Sequence, residues 1–246
     1  MPHTHFIPVP ESILPNGLTV PAFRVAQYLA GAGPENPAGA ACRRIGDRAD
    51  RQAIVDPHVY PWVNISYHDA RKAAAASGYA LITETQALAI TWNIAQQGAN
   101  WTGGDVGKGS IFQSLHADTV DCAMPGAYDP PAPDERRWHV LSNGERIVDC
   151  AGNAFSWIFD DVHGDESGLV AKRITSDSIS LQAPYPSRMC GVGYRPDGDI
   201  DWSGDALIRG GCWGSGSYAG VFYLGSDWPG NAYDYVGFRC TLPIGL

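Results

Sequence analysis

Residues 209–240 read RGGCWGSGSYAGVFYLGSDWPGNAYDYVGFRC, and the two ends of this stretch differ sharply from its interior. Arg209-Gly210-Gly211 and Val236-Gly237-Phe238-Arg239-Cys240 have the short, rigid character of strand ends. Between them, residues 212–235 contain no Lys, Arg or Glu and are crowded with Gly, Ser, Tyr, Asp, Asn and Trp. Tyr and Trp give large amphipathic contacts at low entropic cost, while Ser, Gly and Asn give adaptable hydrogen bonding, the composition found in antibody binding loops. The interior therefore predicts a displayed surface and the remainder a scaffold. Core strands would alternate with aliphatic residues, and only Val221, Phe222 and Leu224 do so here.

Composition bounds the scaffold. A chain of 246 residues can bury a large core. Hydrophobic residues make up 44% and charged residues only 17%, with 29 Gly and 18 Pro, which predicts many turns and little long helix. The net charge of −9 argues against a nucleic-acid partner or an anionic membrane, both of which want a basic footprint. No segment has the continuous apolar length of a membrane helix. The opening MPHTHFIPVPES lacks a basic start followed by an apolar run, so Sec export is not expected. Cysteines 42, 122, 150, 190, 212 and 240 form no C-x-x-C pair, which favours free thiols or at most one bridge.

Moving outward, residues 1–15 are Pro-rich and read as an arm or a docking strand, or else a poorly ordered terminus, in which His3 and His5 belong to a solvated tail more readily than to a metal site. Residues 18–29 predict a strand, 31–41 a Gly/Pro loop and 43–52 a charged surface stretch. Ser66-Tyr67-His68-Asp69 and Thr83-Glu84-Thr85-Gln86 are capping-box patterns. They predict one helix to about Ser77, stopped by Gly78, and a second carrying Ala87, Leu88, Ile90, Ile94 and Ala95 inward to about Gly98. Residues 138–141 and 146–149 predict a hairpin about Ser142-Asn143-Gly144-Glu145. Residues 152–160 predict a core crossing, and 176–182 a strand. The last strands are expected at 207–209, 220–224 and 235–240.

Four islands in this order resemble a known family: residues 61–92 (PWVNISYHDARKAAAASGYALITETQALAITW), 141–160 (LSNGERIVDCAGNAFSWIFD), 206–213 (ALIRGGCW) and 236–240 (VGFRC). They are similar to the motifs of the C-type-lectin-like domain in the formylglycine-generating enzyme superfamily, and they span nearly the whole chain. The resemblance implies an α+β fold over residues 16–246, with two short helices, short mostly antiparallel strands and long irregular loops. In the oxidase branch two cysteines follow the RGGS strand, and a close pair of soft sulfurs can hold one copper ion. Residues 213–222, WGSGSYAGVF, contain no cysteine. The sulfoxide-synthase branch places iron-binding histidines on an added helical domain that is missing here.

The final region instead resembles the variable proteins of diversity-generating retroelements, as do residues 100–113 and 136–145. That resemblance implies a ligand-binding protein with no catalysis, cofactor or metal. Its partner would be a protein or glycan on a target cell, met from a virion tail or cell surface by multivalent display. It implies variable, ligand-contacting positions at Cys212, Gly214, Ser215, Tyr218, Tyr223, Gly225, Asp227, Asn231, Tyr233, Asp234 and Tyr235. Arg209, Gly211, Trp213, Gly220, Phe222, Phe238 and Arg239 would be frame. Trp228 does not fit the usual mutable codon and is left out of the variable set. Three other clusters carry weaker chemistry. His68 with Asp69, and His139 with Glu145 or Asp149, have the residue types of an acid–base pair. Asp160, Asp161, Asp165 and Glu166 have the oxygens of a Ca²⁺ site, although a solvated charge run is the commoner use of such a cluster.

Overall fold

A computed structural model describes residues 4–33 and 52–242. His3, Cys42 and the charged stretch up to residue 51 lie outside the described residues. In chain order the strands and helices are β1 (Phe6–Val9), β2 (Ser12–Ile13), β3 (Thr19–Val20), β4 (Phe23–Ala26), β5 (Gly31–Ala32), β6 (Ala53–Ile54), α1 (Tyr67–Ala76), β7 (Ala80–Leu81) and α2 (Glu84–Ala95). There follow β8 (Trp138–Val140), β9 (Arg146–Val148), β10 (Phe155–Ile158), β11 (Ala206–Gly210), β12 (Gly220–Asp227), β13 (Val236–Phe238) and β14 (Cys240–Thr241). The fold is α+β, with two short helices and short, mostly antiparallel strands.

Both helices begin where side chains satisfy the orphan amides of the first turn. At α1, Ser66 Oγ accepts from the Asp69 amide, but the Asp69 carboxylate takes the Ser66 hydroxyl proton at 2.7 Å, so only half of the box forms. At α2 the box is reciprocal: Thr83 Oγ1 accepts from the Gln86 amide and Gln86 Oε1 from the Thr83 amide. Gly78, at φ +75°, supplies the left-handed residue that ends α1. All five residues expected inward on α2 are buried. Ala89, Thr91, Asn93 and Glu84 are buried too, so α2 is enclosed nearly all round.

Two four-stranded sheets carry the architecture, ordered β1-β4-β14-β7 and β12-β11-β10-β13. Only the β10/β13 pairing within them is parallel. One core gathers α2, Phe23, Val25, Leu207, Val221, Phe222 and Leu224. The other gathers α1, Trp62, Trp157, Ile208 and Phe238. β10 crosses between them with every residue buried. The β8/β9 hairpin forms in the expected register, with His139 opposite Ile147.

Four expectations need correction. The described part of the arm, residues 4–15, is built into the domain: β1 pairs with β4 along its whole length, and Phe6, Ile7 and Val9 are buried. The strand expected at 18–29 is split by Pro21, which has no amide to give a ladder. Gly31–Ala32, expected in a loop, pairs with β6. Residues 176–182 hold a 3-10 turn, Ile179–Leu181, instead of a strand, because Ser178 Oγ accepts from the Ser180 amide and caps it. Cys122 is disulfide-bonded, while Cys150, Cys190, Cys212 and Cys240 are free.

Candidate binding surface

The surface is built from the frame upward. Arg209 lies on β11, 5% exposed, with its Nε 2.7 Å from Glu84 Oε2 and a second guanidinium nitrogen on Oε1. The same guanidinium donates to the carbonyls of Ser180 and Tyr223. Glu84 opens α2, where a carboxylate also meets the positive end of the helix. One side chain thus ties α2, β11 and the backbone of β12 together.

Immediately after it the chain must leave the sheet. Gly210 and Gly211 have φ near +98° and +100°, and the β11/β12 register shifts between Arg209 and Gly210. A side chain at Gly211 would press on Ala219 Cα at 2.7 Å, so this bulge demands glycine. Residues 212–219 then form a loop that returns as β12. Within that loop the Cys212 amide donates to Ser215 Oγ at 2.9 Å and Trp213 N to the Asn153 carbonyl at 3.1 Å. Gly216 N donates to His116 O at 2.7 Å and Asp118 N to Trp213 O at 3.1 Å. The supporting segment 116–119 is itself held by buried Glu135, which accepts from the amides of His116 and Ala117 and the hydroxyl of Thr119. Burial alone would raise the Glu135 carboxyl, but these hydrogen bonds outweigh it and hold the group below the usual range.

β12 is the anchor of the middle. Val221, Phe222 and Leu224 are 3%, 0% and 0% exposed, as their apolar character predicts. The outer edge of β12 pairs with residues 192–194 through Phe222 N to Val192 O and Leu224 N to Tyr194 O. The second half of the segment is pinned at Tyr67 N to Pro229 O, Asn64 N to Tyr233 O and Phe155 N to Tyr235 O.

On this frame six rings follow one another: Tyr218, Tyr194, Tyr223, Phe155, Tyr235 and Tyr233, with centroid steps between 4.8 and 6.1 Å. Tyr233 and Tyr235 are stacked, 8° from parallel at 5.0 Å. At the Tyr218 end, Arg188 lies over the ring at 4.8 Å and donates to its hydroxyl at 2.9 Å. At the other end Asn231 Nδ2 donates to Tyr233 Oη and to Asp227 Oδ1, which also takes the Trp228 amide. Burial, then the neighbouring Tyr194 and Cys212, push the Tyr223 hydroxyl up to about 12. Burial and then Tyr233 and Asp227 raise Tyr235. Both hydroxyls are therefore protonated donors at neutral pH.

The expected contact residues fall as follows. Gly214, Tyr218 and Asp234 are exposed, and Cys212, Ser215, Tyr223, Asp227, Asn231, Tyr233 and Tyr235 are half-buried. Gly225 departs from the set: it is buried opposite Ile208, and a side chain there would strike Tyr223 Oη at 2.9 Å. Sequence reasoning missed Tyr194 and Arg188, which come from a loop with no periodic signal, whereas Phe155, expected in the core, is buried there and supports the row from beneath. It also set aside Trp228, the most exposed tryptophan side of the segment at 62%. Exposure of a large aromatic beside polar residues is the signal that codon reasoning overrode.

The remaining chemical candidates do not converge. The Cys212 thiol is raised by burial and meets the Ser215 hydroxyl at 3.2 Å and the Gly214 backbone, and Cys240 is fully buried in β14. His68 is exposed on α1. His139 is buried with Nε2 on the Phe112 carbonyl at 2.8 Å, and burial lowers it to about 4, while Asp149 grips Arg137 instead. Asp160 accepts from the amides of Val162 and His163, Asp161 from Thr85, and Asp165 from Ser167 and Leu169. Among the described residues no three His, Cys, Asp or Glu side chains are grouped as a metal site. No helix among them is long and apolar enough to cross a membrane.

No family model matches the chain, and no curated protein matches it. Among solved structures it is similar to Treponema denticola variable protein 1, at 14% identity over 92% of this chain and 87% of that one, with a TM-score of 0.49. PvdO from Pseudomonas aeruginosa aligns at 17% identity over 90% and 80%, with a TM-score of 0.43. The P3c variant of the Major Tropism Determinant aligns at 15% identity over 97% of this chain and 55% of that one, with a TM-score of 0.38. At these identities and scores the functional reading rests on the surface itself.

Proposed function

We propose that this chain is a ligand-binding variable protein of a diversity-generating retroelement, with a C-type-lectin-like scaffold that displays residues 212–235. One observation carries the reading. The frame residues Arg209, Phe222, Phe238 and Arg239 are each 5% exposed or less, while ten of the eleven expected contact positions reach the surface. Backbone hydrogen bonds and the Arg209 ion pair hold the segment, so its outward side chains can change without unpicking it. Rigid aromatic anchors with adaptable polar neighbours suit a paratope. The partner is a protein or glycan on a target cell, engaged from a virion tail or a cell surface. Multivalent display strengthens weak single sites there. No catalysis is assigned to the chain.

The test is a graft. Exchanging the outward residues of 212–235, with Gly225, Val221, Phe222, Tyr223 and Leu224 retained, should leave the melting temperature nearly unchanged and alter what is bound. Unfolding of several independent grafts would sink the proposal. The alternative, an oxygen-using enzyme of the same superfamily, requires copper or iron in the purified protein and activity lost in Cys212→Ala or Cys240→Ala.

A further inference from the structure

The row of rings carries charge of opposite sign at its two ends, and the Tyr233–Tyr235 end is the acidic one. Asp227 and Asp234 stand at its Tyr233–Tyr235 end, and Asp118 faces Gly214, where a Cβ would lie 2.8 Å from its carboxylate. Asp227 shares the Asn231 side chain with Tyr233, and Asp234 lies between the stacked Tyr233 and Tyr235 in sequence, so two carboxylates stand at the rings and Asp118 adds a third beside Gly214. Among the described residues none of the three has a cationic partner within ion-pair distance. Residues 212–235 themselves supply no Lys or Arg.

The opposite end shows what such a row accepts. There a cation is already seated: the Arg188 guanidinium lies on the Tyr218 face at 4.8 Å with a hydrogen bond of 2.9 Å to the hydroxyl. A guanidinium over a tyrosine face is attracted by the ring quadrupole, and neighbouring carboxylates reinforce it. The Tyr233–Tyr235 end has the rings and the counter-charges but, among the described residues, no cation of its own. Taking the binding-surface reading as its premise, we propose that this end selects a basic protein segment, one that presents an arginine or lysine to Tyr233 and Tyr235 with Asp227, Asp234 and Asp118 as counter-charges. The net charge of −9 steers such a partner toward it. A neutral glycan would gain the stacking and leave the three carboxylates uncompensated.

A random dodecapeptide library, panned on the whole protein and on the variant Tyr218→Ala/Tyr233→Ala/Tyr235→Ala, tests this. Peptides retained by the protein and lost on the variant should share Arg or Lys. Replacing that residue by citrulline or norleucine should weaken binding at least about tenfold, the scale of a desolvated cation–π contact. Asp227→Asn/Asp234→Asn keeps the acceptors for Asn231 and the Trp228 amide, and should weaken the same peptides about fivefold, as expected for one half-buried and one exposed charge. It also serves as the comparison if the tyrosine variant folds poorly. Tyrosine-dependent peptides that are neutral or acidic would overturn the basic-partner inference and leave the binding surface standing. If no peptide depends on the tyrosines or the two aspartates, both readings fall.

Discussion

Arg209 and Tyr218 lie nine positions apart on one C-terminal segment, yet they are held in opposite ways. Arg209 is 5% exposed and its guanidinium is committed to Glu84, Ser180 and Tyr223. Tyr218 is 45% exposed, and its side chain meets Tyr194 and Arg188. Arg239 at the far end repeats the pattern of Arg209 without a carboxylate, donating to the carbonyls of Ala26, Gln27, Val148 and Asp149. The difference teaches where specificity of fold is stored. In the frame it resides in side chains that satisfy buried polar groups; in the displayed region it resides mainly in backbone hydrogen bonds, which are indifferent to side-chain identity, with Ser215 and Asp227 the side chains seen to take an amide.

The strongest way to break this contrast is at the Arg209–Glu84 pair. Glu84→Ala strands a buried guanidinium and should cost about 3–5 kcal/mol in denaturant unfolding, as removal of one partner of a buried ion pair does. Arg209→Met combined with Glu84→Ala should lose less than the sum of the two singles. Additive losses would show that the pair does not couple α2 to β11. Acid should act next, through His139, whose pKa is lowered to about 4 from 6.5 by burial. The unfolded chain then binds the proton first, so stability falls as pH drops from about 6.5 to 4. Glu135 and Asp160, held below their usual values, lose their share as pH falls through those values. His139→Gln should flatten the loss in the upper window when unfolding is followed against pH; an unchanged slope would exclude His139 as its source. Gly211→Ala is a smaller break. It forces a side chain into φ +100° against Ala219, and should cost about 1–3 kcal/mol by calorimetry or denaturant titration.

The same contrast explains what was legible in the sequence. The helix caps, the Gly78 stop and the inward Val221, Phe222 and Leu224 depend on neighbours a few residues away, and local chemistry announces them. The half-formed box at Ser66 was not legible, since whether Asp69 takes the cap's amide or its hydroxyl is a matter of geometry. The aromatic row lay beyond reach for a different reason. Tyr223 meets Phe155 and Tyr194, 68 and 29 positions earlier, and no pattern in any one segment marks such a meeting. Gly225 shows the limit of composition: glycine fits a mutable palette and also fits a crowded strand, and the contact with Ile208 decides for the strand. The arm was misread because Pro at positions 2, 8 and 10 suggested a loose tail, whereas an edge strand tolerates proline.

The least visible effect sharpens the contrast most. Tyr218→Ala and Asp234→Ala remove side chains that close no core and no backbone hydrogen bond, so each should change unfolding free energy by no more than about 0.5 kcal/mol. Tyr223→Ala sits between the two regimes, since its ring is half-buried against Phe155 and Tyr194, and should cost about 1–3 kcal/mol through lost burial and ring contacts. Measured together by urea titration, the three give a gradient along one segment: free at Tyr218 and Asp234, intermediate at Tyr223, and fixed at Arg209. If Tyr218→Ala cost as much as Tyr223→Ala, its contacts with Tyr194 and Arg188 would belong to the frame. The displayed surface would then shrink to residues 227–235, where Trp228, Tyr233 and Asp234 would have to carry binding alone.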